Sequence, residues 1–166
     1  MAVNTPIVVI ADFAPYQELS AYLNAAKIDP HTLACQYDYL RPILGNTLYD
    51  SLQDYIAANK TPVDADLDAL IVYVNPFLCY KSAARYFKIA NIFPSNMGFR
   101  VLKEANSDPV SDSDKLNMIS MAENTGKIRE NDLRNFLCEN KDTYNWDGCK
   151  ATKLSFTQKI SKIGRK

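Results

Sequence analysis

The sequence predicts a mostly α fold: a compact bundle of about five helices, a protruding loop containing a short strand or hairpin, and an extended C-terminal tail. Three observations carry this. Apolar residues recur at helical spacing through most of the chain up to Lys141. Residues 91–110 are interrupted by Pro94, Gly98, Asn106 and Pro109, which no helix tolerates together. The last stretch, Lys150 to Lys166, holds six basic residues and no acidic one. The chain therefore divides into a helical body, 1–149, with its loop or hairpin at about 91–110, and a basic tail, 150–166.

In chain order, Pro15 opens a short helix over Ala14–Asn24, with Tyr16, Leu19, Tyr22 and Leu23 at helical spacing. Asp29–Pro30 reads as the next helix start, Asp as the cap and Pro in the first turn. Two helices follow, at about 30–44 and 47–59. Leu33, Tyr37, Leu40 and Leu44 form the apolar face of the first; Leu48, Leu52, Tyr55 and Ile56 form that of the second. Between them Pro42 removes the hydrogen bond to the carbonyl of Asp38 and predicts a bend. Gly45 supplies a left-handed residue that ends the helix, and Asn46 is placed to cap the next. The whole stretch from Ala34 to Tyr49 reads as a helix–hinge–helix joint with Pro42 and Gly45 as its hinge. Arg41 inside it is a surface charge beside the bend, or else a contact to an adjacent subunit.

Asn59–Val63 is a turn, after which Asp64, Asp66 and Asp68 put negative charge at a helix N-terminus. These aspartates partly match a calcium loop, but its sixth and twelfth positions hold Ala69 and Asn75 in place of Gly and Glu. The apolar run Leu67–Ala90 contains Pro76, which either kinks one helix or separates two, with Asn75 as a cap. Phe77, Tyr80, Ala84 and Phe87 mark its buried face. Lys81, Arg85 and Lys88 form a basic stripe, read as a solvated face with packed alkyl stems in preference to a polyanion site. In the loop, Phe99, Arg100, Val101, Leu102 and Lys103 alternate as a strand does. A lone strand needs a ladder, so it folds back as a hairpin or pairs with a neighbouring subunit. Ser111–Asp114 is a capping box opening a last helix to about Lys141, with apolar positions Met118, Met121, Ala122, Ile128, Leu133, Phe136 and Leu137. Gly126 is its weak point, and Tyr144 and Trp146 are expected to pack its end onto the body.

The charge pattern is more informative than the net charge of zero. All 19 acidic residues precede position 150, with 13 of the 19 basic ones, so a body of −6 carries a tail of +6. Such a tail suits an acidic surface, a neighbouring copy or nucleic acid. No catalytic, metal or cofactor site is predicted. His31 stands alone near a helix start, no serine lies in a G-x-S-x-G setting, and the five glycines are scattered. Cys35, Cys79, Cys138 and Cys149 are widely spaced and are expected to be buried reduced thiols, in preference to a zinc site or disulfides. No apolar run approaches the roughly 20 residues of a membrane span, and no signal peptide is expected at Ile7–Ala11.

The succession Ile10–Phe13, Pro15–Tyr16, Lys27–Pro30, Gln36–Gly45 and Leu48–Tyr49 resembles the head–tail connector (adaptor) proteins of tailed bacteriophages, those of crAss-like phages above all. Tyr73, Pro76–Leu78, Tyr80, Arg85, Asn91 and Gly98 continue the same order, so the likeness covers roughly residues 7–141. It implies a non-enzymatic virion protein without cofactors, made in the bacterial host cytoplasm and placed at the head–tail junction. Such subunits form a ring, typically of about twelve copies, beneath the portal. The ring extends the DNA channel, through which packaged DNA passes without sequence-specific binding, and presents a surface to the next tail or ring protein. No membrane is involved. The resemblance further implies that the C-terminal segment reaches the portal or a neighbouring subunit. Here that would be Lys150, Lys153, Phe156, Lys159, Ile160, Lys162, Ile163, Arg165 and Lys166, which lie outside the matched stretch. An alternative reading is a small nucleic-acid-binding regulatory protein using the basic stripe and the tail.

Overall fold

The computed structural model describes residues 5–16, 25–89, 92–95, 98–101 and 112–149. The fold is mostly α, as the sequence predicts. After a 3-10 turn at Ile10–Phe13, helix α1 (Ala25–Cys35) runs without a break through a π-turn (Gln36–Leu40) into the short α2 (Arg41–Leu44). Then come α3 (Asn46–Ala57), α4 (Ala65–Ile89), the strands β1 (Ile92–Ser95) and β2 (Gly98–Val101), and α5 (Asp112–Glu139). Counting 25–44 as one rod, the described residues hold four helical rods, one fewer than about five. The short helix read at Ala14–Asn24 falls mostly outside the described residues, and Ala14–Pro15 form a turn.

Helix α4 is the central element. Its residues Leu70, Val74, Phe77, Leu78, Cys79 and Ala83 are fully buried, and it packs against both α1 and α5. Pro76 lies inside one helix and does not divide two. Of the predicted face, Phe77, Tyr80 and Ala84 are buried and Phe87 half-buried. Asp64 caps the helix: its Oδ1 accepts from the backbone N–H of Asp66 and of Leu67, each at 3.0 Å. That assignment accounts for the aspartate cluster, and among the described residues no group of metal-ligating side chains is placed to hold an ion.

Helix α5 lies antiparallel to α4. Lys88 meets Glu123, Lys81 meets Glu130, and Tyr73 stacks on Phe136 with ring centroids 4.3 Å apart. Gly126 falls where this packing is tightest: a Cβ there would sit 3.4 Å from Cδ of the Lys81 stem. Ala122, Leu133 and Leu137 are fully buried on this face, while Leu116, Met121 and Ile128 are exposed. Since α4 ends at Ile89, beside Glu123, the stretch 112–121 of α5 continues past it. That overhang is about 15 Å long.

The start of the chain closes the other side. Val8 and Phe13 are fully buried and Ile7 nearly so, each contributing about 1.5–3 kcal/mol. What holds this segment is the fully buried Gln36. Its Oε1 accepts from the Ile7 N–H at 2.8 Å, and its Nε2 donates to the Thr5 carbonyl at 3.3 Å.

Several expectations change. The helix predicted to start at Asp29–Pro30 already runs from Ala25, with Pro30 inside it and Ile28, before the predicted start, fully buried. Its buried face is Ile28, Thr32, Cys35, Gln36 and Leu40, so Tyr37, predicted inside, is exposed. Strand β2 pairs within the chain, antiparallel to β1, with Ile92 opposite Val101 and Ser95 opposite Gly98. Phe99, Arg100 and Val101 lie in that strand, while Leu102 and Lys103 are outside the described residues. Lastly, only Cys35 and Cys79 are the expected buried free thiols. Cys138 and Cys149 are joined as a disulfide, because the turn after α5 folds back and brings their Cα atoms to 5.5 Å.

Gly126 is open enough for a methyl group, and alanine is the better helix former. Gly126→Ala is expected to raise unfolding stability by about 0.5–1 kcal/mol in denaturant titration. Gly126→Leu is expected to lower it by pushing Lys81 out of place.

Candidate functional site

The joint at residues 36–49 is braced from both sides. In the π-turn the Arg41 N–H reaches back to the Gln36 carbonyl, which re-sets the helix just before Pro42. Pro42 then occupies the first turn of α2, where its missing donor matters least. Gly45 breaks the rod at φ 77°, ψ 166°, a positive-φ extended conformation and not the left-handed helical one predicted. Asn46 is the first residue of α3, not its cap, and its Oδ1 accepts from Arg41 Nε at 3.0 Å. The Arg41 guanidinium also lies between two rings, 5.7 Å from the centroid of Tyr37 and 5.8 Å from that of Tyr49. Arg41 thus ties α2 to α3 across the glycine.

The second brace arrives from the far end of the chain. A helix that stops leaves its last carbonyls without partners. Trp146 Nε1 donates to one of these, the Ile43 carbonyl, at 2.8 Å in a buried setting. Its indole is nearly fully buried, and Gly148 lies so close to it that any Cβ there would strike the ring. Tyr144 completes the contact: its hydroxyl donates to the Asp66 carbonyl at 2.6 Å, and its ring lies 5.6 Å from Phe136. The disulfide Cys138–Cys149 encloses this turn. Between the joint (Pro42–Leu48) and the turn (Tyr144–Gly148) remains an open groove of about 360 Å³.

The basic stripe is engaged internally. Lys81 pairs with Glu130 at 3.6 Å, Arg85 with Asp38 at 2.6 Å, and Lys88 with Glu123. Lys81 also sits over the rings of Tyr39 and Phe77, at 5.2 and 5.9 Å. Tyr39, Lys81, Arg85, Lys88, Glu123 and Lys127 line a cleft of about 320 Å³. Nearby, the His31 ring meets Tyr86 edge-on at 5.7 Å. Burial and, secondarily, the Arg85 charge hold its pKa below the ordinary 6.5. Burial pushes the Cys35 and Cys79 thiols up, so both stay protonated at neutral pH and are poor nucleophiles.

One family match is found, and it runs over residues 40–154, from inside the joint through Trp146. The chain belongs to DUF6712, a family of unknown function. No curated protein and no solved structure shows significant similarity to it. The DUF6712 match takes in Arg41, Pro42, Gly45, the ion-paired stripe and the turn, while Gln36 and the segment it holds precede it.

Of the residues singled out by sequence as a hinge, Pro42 lies inside the continuous rod 25–44 and Gly45 ends it. The tail residues Lys150, Lys153, Phe156, Lys159, Ile160, Lys162, Ile163, Arg165 and Lys166 lie outside the described residues. Gln36, the Ile43 carbonyl and the disulfide were not legible. Each depends on a partner brought close only by folding, although Trp146 was placed correctly against the body.

Trp146→Phe keeps the ring but leaves the Ile43 carbonyl buried without a donor, and is expected to cost about 1–3 kcal/mol of unfolding stability. Gly45→Ala is expected to cost about 1–3 kcal/mol through its positive φ alone. His31, the sole histidine, gives a clean titration by NMR. Its midpoint is expected below 6.5 and to rise in Arg85→Gln. Because the unfolded chain takes up this proton first, stability is expected to be full above pH 6.5 and to fall as pH drops below it.

Proposed function

We propose that this protein is a structural adaptor subunit of the head–tail junction of a tailed bacteriophage. On this reading, copies of it form a ring beneath the portal, extend the DNA channel and offer a surface to the next tail component. The observation that carries it is the double bracing of the joint, by Arg41 across Gly45 and by Trp146 onto Ile43. A ring subunit transmits position between its neighbours, and a joint locked from both sides holds its two helices at one angle.

A second feature agrees with this use. The exposed Leu116 and Met121 on the overhanging part of α5, with Ile128 further along, are apolar surface that a self-associating subunit would cover. The nucleic-acid reading is weakened by the stripe. Lys81, Arg85 and Lys88 each face a carboxylate of the same chain, so binding phosphate there would first require separating three ion pairs. No step of the proposed role needs a cofactor or a reaction, and its natural location is the virion.

Co-expression with the portal protein of a crAss-like phage tests the proposal. The full chain is expected to co-purify with portal rings and to appear as an added ring in electron micrographs. Removing Ala151–Lys166 is expected to weaken that association. A protein that stays monomeric and ignores the portal, yet binds DNA with a steep salt dependence, would sink the adaptor reading.

A further inference from the structure

The outer face of α4 at its N-terminal end has no partner among the described residues. Ala65, Ala69 and Val72 are exposed and fall at i, i+4 and i+7, one strip along the helix. Val72 is 67% exposed, and Val63, just before the helix, is 82% exposed. Helical geometry places Asp66 on one side of this strip and Asp68 on the other. The strip is therefore apolar, bordered by carboxylates along both edges. The turn after α5 extends the acid, because the Tyr144 hydroxyl bonds to the Asp66 carbonyl and brings Glu139, Asp142 and Asp147 to this end. Across 54–68 and 139–147 there are seven acidic and two basic side chains, a net charge of −5. None of the seven carboxylates is in an ion pair among the described residues.

We infer that this face is the docking surface for the chain's own C-terminal segment, residues 150–166. Charge complementarity is the first argument: the segment carries +6 with no acidic residue, against a net −5 over residues 54–68 and 139–147. Its pattern is the second. Lys153, Leu154, Phe156, Lys159, Ile160, Lys162 and Ile163 alternate basic and apolar side chains, matching an apolar strip with acidic borders. The third is where the chain leaves the described body. Cys149 is held at this same end by its bond to Cys138, so the segment starts beside the surface. An extended stretch of that length reaches roughly 55 Å, while Ala65 to Val72 spans only about 10 Å. Tethering at so short a distance gives an effective concentration on the order of millimolar, well above that of a second copy in dilute solution. The inference does not rest on the adaptor reading. Where both hold, a tail offered to a portal must first leave this face.

Zero-length carbodiimide cross-linking of the full-length protein tests this, with linked peptides identified by mass spectrometry. Lys159 and Lys162 are the informative donors, since Lys150 is close to Asp147 by sequence alone. Links from them to Asp66, Asp68, Glu139 or Asp142 are expected, and their yield is expected to fall several-fold in about 1 M salt, where screening acts within about 3 Å. In an equal mixture of ¹⁴N- and ¹⁵N-labelled protein, both halves of each linked peptide are expected to carry the same label. Mixed-label links would assign the surface to a second copy and overturn the proposal, as would links scattered over the body or none at all. Lys159→Glu with Lys162→Glu leaves the body unchanged. It is expected to increase labelling of Asp66 and Asp68 by a soluble amine; unchanged labelling would also overturn it.

Discussion

The Ile43 carbonyl and the Trp146 indole meet across more than a hundred residues of chain, and the architecture depends on that bond. A helix that stops at a glycine exposes carbonyls that would ordinarily turn to water. Here Ile43 is buried, and the donor to its carbonyl comes from elsewhere in the protein. Bringing Trp146 to it requires α5 to lie antiparallel along α4, and requires the chain to turn back after Glu139. Tyr144, Gly148 and the Cys138–Cys149 bond are all parts of that return.

Polar chemistry in this molecule serves geometry. The buried amide of Gln36 uses both its ends on backbone groups of the first described residues, and Thr32 bonds the Ile28 carbonyl one turn back. Several surface cations are also engaged. Arg41 bridges two rings and an asparagine, and the stripe on α4 clamps α1 and α5. Exposed pairs of this kind contribute little stability each, about 0–1 kcal/mol. Their use lies in fixing which face of each helix meets its neighbour, and at Gly126 the Lys81 stem serves as packing as well.

Local signals read from the sequence held where the cause was local. The long α4 and α5, the aspartates as a helix start, the joint at Pro42 and Gly45 and the inward packing of Trp146 all followed from spacing and turn chemistry. What failed had a distant cause. Asp29–Pro30 resembled a start because nothing nearby shows that Ile28 would be buried. The apolar spacing points Tyr37 inward and is silent on Gln36, since it cannot reveal that an amide will find backbone groups some thirty residues away. Cysteine spacing likewise says nothing of Cys138 and Cys149 until the turn folds back. The joint itself was legible; its two locks were not.

The order in which the chain is made gives the buried Gln36 amide another meaning. Residues 5–13 leave the ribosome before Gln36 does, and at that stage their seat does not yet exist. Gln36 must follow to hold Ile7, and Cys79 on α4 must follow to lie against the Asp12 carbonyl, at 3.6 Å. The segment therefore waits, with Ile7, Val8 and Phe13 uncovered, until Cys79 has been synthesised. Trp146 arrives later still and closes the joint from the other side. Segments more than a hundred residues apart are thus fastened to the same rod, one at Gln36 and the other at Ile43.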